Sequence, residues 1–346
     1  MKLQRRHFTT LLNAFYDDGI TTIPVEHPCE DVGELVRFEL GDYRGSTVRF
    51  TCGPLSYEDR RDDLEREYDE QIVADLPGPE HYMRALVGGG VAPLENHDEV
   101  ETFVRRYGYP DLEAGHRPVF AGIDTNLLMW RPESLLSLDP SNGDERGRSP
   151  VNGYALSAGV KEELDFHFRH GESRRLVDAF GPEFDRLKGQ PTSDNRQGLL
   201  GLYAYRQFMA ERNVDVVPGE KGDRAIVDSY HDYHEEDRNR VVLFSNDHGF
   251  VDRAHECGLL AQHVSFPVDT RRKATVSWRD IEETLYLLTV VFGVLVLPKV
   301  TLYGAWEGKD GRDWQTETVD VDCRSPKYQR ELKRRERIVT AFDAAM

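Results

Sequence analysis

The chain has 346 residues, 62 acidic against 44 basic, and a formal net charge of −18. Such a length can bury a substantial core and exceeds one typical domain, so two units are expected rather than one. Only nine of the basic residues are Lys, and acid-rich, Lys-poor chains resemble proteins of salt-adapted cytosols, where a dense carboxylate surface stays hydrated and self-repelling. The excess is therefore assigned to the environment rather than to a basic ligand, and in preference to an acidic mimic of nucleic acid. Cys29, Cys52, Cys257 and Cys323 are scattered with no Cys-x-x-Cys pair, which excludes a zinc or redox motif and leaves reduced thiols in a cytoplasmic protein as the expectation. The opening Met1-Lys2-Leu3-Gln4-Arg5-Arg6-His7 lacks the apolar core of a signal peptide. The longest apolar run, Leu285 to Leu297, includes Thr289 and Gly293, stops at Pro298-Lys299 and is too short for a membrane helix.

In chain order, an amphipathic stretch near Phe8 to Phe15 precedes two alternating strands, Leu35 to Leu40 and Thr47 to Cys52, joined by Gly41 to Ser46 as a hairpin. A charged helix follows from about Leu55 to Leu76. Pro77-Gly78-Pro79 and Gly88-Gly89-Gly90 then punctuate a loop-rich stretch, before a short helix from about Asp98 to Tyr107. The glycine triplet lacks the strand before it and the Lys-Ser or Lys-Thr after it that a P-loop needs. These residues, 1–115, form an α+β N-terminal region. From 116 to 268 strand and helix alternate: a strand at Val119 to Ile123, a turn-rich loop at Asp139 to Pro150, and a helix starting near Ser157. Then come a helix from about Gln197 to Arg212, a strand at Val214 to Val217, a helix from Asp223 to about Tyr233, a strand at Val241 to Ser245, a helix near Phe250 to Cys257 and a strand at Leu259 to Val264. This alternation predicts an α/β domain with a parallel sheet flanked by helices. Residues 269–346 read as a helix-hairpin-helix extension. Ser277 and Asp280 cap a helix through about Val291, strands near Val294 to Tyr303 and Glu317 to Asp322 flank a Gly-rich turn, and a last helix carries Lys327, Arg330, Lys333, Arg334, Arg335 and Arg337.

Four carboxylates stand in matched contexts: Asp124 after the run Pro118 to Ile123, Glu163 in Val160-Lys161-Glu162-Glu163-Leu164, Asp223 after Gly222, and Asp247 after Val241 to Asn246. Carboxylates at the carboxyl ends of parallel strands gather in the crevice where open α/β sheets bind ligands, and an acidic cluster there calls for a cation. For a lone Asp at such a place, capping the next helix is the simpler reading. Ile123-Asp124-Thr125-Asn126, Val160 to Leu164, Asp223-Arg224-Ala225-Ile226 and Phe244-Ser245-Asn246-Asp247 resemble, in order, the four acidic motifs of the PIN domain family, over roughly residues 118 to 265. That resemblance implies a PIN-like fold and a metal-dependent endoribonuclease in which Asp124, Glu163, Asp223 and Asp247 hold Mg²⁺ or Mn²⁺. It also implies RNA as substrate, cleaved to a 5′-phosphate and a 3′-hydroxyl. Glu163 is chosen over Glu162 because it matches the pattern of Val, two variable positions, then Glu-Leu.

Asn126, Ser245 and Asn246 match polar positions beside the acidic residues and are read as substrate-binding; Asp228 and Asp252 are candidates for an outer shell. Lys327, Arg330, Lys333, Arg334 and Arg337 offer a possible nucleic-acid contact, although the bland reading is a solvated helix face, with Ile338, Val339 and Phe342 packed inward. His231 and His234, three apart on a helix, share a face but have no third ligand fixed by spacing. Two rival readings remain: a catalytically silent PIN-like module that binds nucleic acid or protein, and a haloacid dehalogenase-like phosphatase using Gly222-Asp223 and Asp228. The second wants Asp-x-Asp where this chain has Asp124-Thr125-Asn126. The terminal extensions leave room for a homo-oligomer or a protein partner, and no membrane association is expected.

Overall fold

A computed structural model describes residues 1–42, 45–68, 70–139, 142–145, 147–166, 174–236, 239–305, 315, 317–343 and 345. The strands in chain order are β1 (Lys2–Gln4), β2 (Thr22–Glu26), β3 (Glu34–Glu39), β4 (Ser46–Phe50), β5 (Val119–Ile123), β6 (Gly153–Ser157), β7 (Val214–Val217), β8 (Arg240–Ser245), β9 (Leu260–His263), β10 (Lys273–Val276), β11 (Val294–Val296), β12 (Val300–Tyr303) and β13 (Thr318–Cys323). The helices are α1 (Phe8–Asp17), α2 (Pro54–Glu67), α3 (Glu70–Val73), α4 (Pro79–Gly88), α5 (His97–Tyr107), α6 (Thr125–Leu128), α7 (Pro132–Leu135), α8 (Ala158–Phe166), α9 (Arg174–Phe180), α10 (Ser193–Glu211), α11 (Asp223–Glu236), α12 (His248–Glu256), α13 (Trp278–Phe292) and α14 (Pro326–Asp343). They fall into two compact units: Met1–Ala92 with Arg169–Gln197 and Val268–Met346, and Pro93–Phe168 with Gly198–Pro267. Among the described residues, no helix is long and apolar enough to cross a membrane.

The first unit is built on an eight-stranded sheet in the order β1-β13-β12-β11-β2-β3-β4-β10, antiparallel throughout. The N-terminal and C-terminal stretches, read from sequence as separate regions, are thus neighbours in one sheet. The apolar run from Leu285 is core, as expected: α13 is buried along most of its length and packs on α1 and α4. Its entry is the capping box read from sequence, with Ser277 Oγ accepting from the Asp280 amide at 3.2 Å and Asp280 Oδ2 accepting from the Ser277 amide at 2.7 Å. Helix crossing is close at Gly89, where a Cβ would lie 2.2 Å from Thr284 Oγ1.

Several elements differ from the sequence reading. The charged helix expected to Leu76 ends at Glu67, and the stretch read as loop between the Pro-Gly and Gly runs is α4. Pro79 there occupies the first helical turn, where its missing N–H costs nothing, and Gly88 ends the helix with Gly89 as its C-cap. The strand expected over Val294 to Tyr303 is two strands, β11 and β12, because Pro298 interrupts the ladder donors and the chain turns back on itself. The Gly-rich turn that follows lies largely outside the described residues. On α14, Tyr328 and Leu332 are buried and Tyr328 stacks on Phe15, whereas Ile338 and Phe342 are 59% and 63% exposed, so the inward face is the earlier one. Arg335 pairs with Asp17 and Glu331, while Lys327, Arg330, Lys333, Arg334 and Arg337 are exposed.

The second unit holds a five-stranded sheet, β7-β6-β5-β8-β9, parallel throughout and flanked by helices. Every residue of β5 is buried, as in a strand covered on both faces. The sequence reading lacked β6, whose Gly-Tyr-Ala-Leu-Ser carries no β-branched residue; it is a strand because it lies between β5 and β7 and buries all five side chains. From β5 the chain moves outward through β6 to β7 and then returns to the far side of β5 with β8 and β9. The strand order therefore reverses between β5 and β8, the place where open parallel sheets form a crevice at their carboxyl ends.

Candidate functional site

Asp124 directly follows β5 at this crevice, and its amide donates to the Phe244 carbonyl of β8 at 3.1 Å. Its carboxylate is 3% exposed. Ser245 Oγ donates to Asp124 Oδ2 at 2.6 Å, and Asn126 Nδ2 lies 3.4 Å from the same oxygen. The capping alternative fails for this residue, since its side chain makes no capping hydrogen bond to α6. Burial, reinforced by the charges of Asp223 and Glu163, raises its carboxyl to about 6 against the pull of Ser245 and the Thr125 amide.

Glu163, half-buried on α8, joins three of the four motifs. Thr125 Oγ1 donates to its Oε2 at 2.6 Å, and the Gly222 amide donates to its Oε1 at 2.9 Å. The loop before Asp223 can come this close because Gly159 opens the path: a Cβ there would lie 2.1 Å from the Glu220 carbonyl oxygen. Asp223 starts α11 on the exposed side. Partial burial, Asp247 and Glu163 raise its carboxyl, and Arg253 of α12 opposes them.

Asp247 does what the simpler reading expects of an Asp after a strand: its Oδ1 caps α12 by accepting from the Gly249 and Phe250 amides at 2.6 and 3.3 Å. Capping does not remove it from the cluster, since its charge is the leading electrostatic influence on Asp223. Ser245 ties the first and last motifs together, donating to Asp124 and accepting from the Asp247 amide at 2.9 Å. It is fully buried, and its hydroxyl here holds two carboxylate motifs together. Asn126 is exposed, and Asn246 is half-buried with Oδ1 unpartnered among the described residues.

The four carboxylates thus share one edge of one sheet and feel one another. Among the described residues, however, no group of three or more His, Cys, Asp or Glu side chains is arranged to hold a metal ion. The engagements above account for this: Glu163 faces Thr125 and Gly222, and Asp247 faces the α12 amides, so mutual repulsion is relieved by turning outward to donors. The donor set is all carboxylate oxygen, which suits a hard cation such as Mg²⁺ or Mn²⁺. Thr125, the Gly222 amide and Arg253 are neighbours of the cluster that the sequence reading missed; only Thr125, adjacent to Asp124, carried a local signal.

Other candidates lie elsewhere. Asp228 is exposed, 3.8 Å from Arg224, and Asp252 is exposed. His234 Nδ1 accepts from the Val241 amide at 3.2 Å, at the amino end of β8, away from the carboxylates. The Lys327 to Arg337 helix belongs to the first unit.

Comparison with known families matches residues 123–265 to the family described as PIN domain. The comparisons with curated proteins and with solved structures returned no match. The matched stretch starts at Ile123, the last residue of β5, and contains all four carboxylates and strands β6 to β9; PIN domains are generally nucleases. Within this 346-residue chain, the match to the PIN domain family covers residues 123–265.

Proposed function

We propose that the chain is a metal-dependent endoribonuclease in which Asp124, Glu163, Asp223 and Asp247 hold one or two Mg²⁺ or Mn²⁺ ions. The observation that supports it most is the coupling of Asp124 to Asp223 and Glu163 at the strand-order reversal. A buried carboxyl at about 6 beside two other carboxylates is a site that favours a cation. A divalent ion there supplies Lewis-acid stabilisation of a phosphodiester and an acidified water. The chain's own residues do the positioning. Ser245 fixes Asp124 and the start of the Asp247 loop, Thr125 and Gly222 fix Glu163, and Asn126 lies at the exposed rim beside Asp124, where a phosphodiester oxygen would arrive. Lys327, Arg330, Lys333, Arg334 and Arg337 are offered as further phosphate contacts. The products would be a 5′-phosphate and a 3′-hydroxyl.

The test is cleavage of single-stranded RNA by the full chain in high salt with Mg²⁺ or Mn²⁺. EDTA and Asp124→Asn should each abolish it. The second reading, a catalytically silent PIN-like module that binds nucleic acid or protein, is favoured by the outward-turned Glu163 and Asp247. Absence of both cleavage and metal binding in the intact protein would select it.

A further inference from the structure

At the opposite, amino edge of the parallel sheet lies a cavity of about 460 Å³ lined by Arg106, Arg117, Arg240, His116, His234 and Tyr107 among others, and by no acidic residue among those described. In a chain with 62 acidic and 44 basic residues, a cavity bearing three guanidiniums and no carboxylate among its described lining stands apart. The fold assembles it directly. Val119 opens β5 beside Arg240, the first residue of β8, which places Arg117 and Arg240 at one edge, and the Arg240 amide donates to the Pro118 carbonyl at 2.8 Å. Arg106 and Tyr107 come from the end of α5.

The guanidiniums are held by an aromatic ring instead of carboxylates. The Arg106 and Arg240 guanidinium carbons lie 5.1 and 5.5 Å from the centre of the Tyr107 ring, within cation–π range. None of Arg106, Arg117 and Arg240 makes an ion pair among the described residues. Both imidazoles are oriented by the backbone: His116 Nδ1 faces the Asp111 amide at 3.4 Å and His234 Nδ1 accepts from the Val241 amide at 3.2 Å. In the neutral ring the proton then sits on Nε2, so each offers an N–H donor. Burial lowers the His234 imidazole, and Arg117 and Arg240 add to this against Glu235, which places those cations close by. Unpaired guanidiniums, imidazole N–H groups and an aromatic ring together match phosphoryl oxygens carried next to a base.

We propose that this cavity is a second, non-catalytic site that binds the phosphate of a nucleotide, either free or as a unit of an RNA strand. It does not depend on the carboxylate edge being an active nuclease.

Binding would be measured with the full chain in EDTA at low salt, where catalysis is off, by titrating AMP and a short single-stranded RNA. Wild type should bind at least one probe. Arg106→Glu/Arg117→Glu, both exposed positions, should weaken that binding by at least about tenfold. Arg106→Gln/Arg117→Gln, which keeps size and polarity, should give the same direction, and a melting curve confirms that the variants fold. An RNA affinity well above that of AMP, lost in the variants, assigns the strand; AMP binding equal to RNA assigns the free nucleotide. Failure of wild type to bind either probe at millimolar concentration, or variants with unchanged affinity for both, overturns the site. Loss of RNA cleavage alone would leave it standing, since no readout here uses the carboxylates.

Discussion

The two edges of the parallel sheet carry opposite charge and solve opposite problems. At the carboxyl edge four carboxylates crowd together, and their repulsion is met by hydroxyls, amides and Arg253. At the amino edge three guanidiniums line one cavity, and two of them, Arg106 and Arg240, rest on Tyr107. One β5–β8 pairing builds both, since Arg240 opens the strand that Ser245 closes. A charged cluster can thus be formed by the same backbone at either end, and what differs is the partner proposed for it: a cation at one edge, an anion at the other.

The comparison breaks most sharply at Asp124. Asp124→Asn should cut the rate by at least roughly a hundredfold, the loss expected when a metal ligand or charge-stabilising group is removed, with binding at the amino edge unchanged. Retained cleavage would mean that the carboxyl edge is not the reacting one.

The same residue gives the next largest effect, on stability. Its carboxyl sits at about 6 in the fold, above the ordinary 3.8. The fold therefore favours the protonated form, a stabilisation complete below about pH 4 and lost as the pH rises through 6. The difference amounts to on the order of 2–3 kcal/mol. Ion-free wild type should accordingly melt lower at pH 7.5 than at pH 5, Asp124→Asn should lie above it at pH 7.5, and Mg²⁺ or Mn²⁺ should raise the wild-type midpoint more at pH 7.5 than at pH 5. Parallel melting of wild type and variant across this range would show that the carboxylates do not couple.

A smaller loss is expected at Gly159. Gly159→Ala drives a Cβ into the Glu220 carbonyl, so the loop must move and the Gly222 amide leave Glu163, for about 1–3 kcal/mol of stability and roughly tenfold in rate. Full activity would detach Glu163 from the site. Least of all, Arg334→Glu/Arg337→Glu on α14 should lower RNA affinity only two- to threefold, about one weak phosphate contact. A loss as large as that of the amino-edge variants would make general cation density, not the cavity, the source of binding.

How much of this was legible in the sequence depended on range. β5, β8 and the carboxylates after them showed because apolar runs and an adjacent Asp are local signals, and the helix from Ser277 showed because a capping box lies within four residues. β6 was hidden, since Gly153 to Ser157 is a strand only through its two parallel neighbours. α4 was mistaken for loop because the Pro and Gly that begin and end a helix also mark turns. The arginine edge was invisible altogether: Arg240 is far in the chain from Arg106 and Arg117 and joins them only through the β5–β8 pairing. Ser245 was noticed for its position, but its burial between Asp124 and the Asp247 amide is not written in a tetrapeptide.

The outermost strand of the eight-stranded sheet has a consequence for biosynthesis. β1 finds its ladder partner in β13, with Lys2 opposite Asp320. A ribosome adding roughly 5–20 residues per second leaves that first strand waiting for some tens of seconds before its mate emerges. The parallel-sheet unit, by contrast, has its last strand by His263. Pulse-chase proteolysis of nascent chains should therefore find β5 to β9 protected first, with the opening strand a transiently bare edge that nascent-chain chaperones would be best placed to shield.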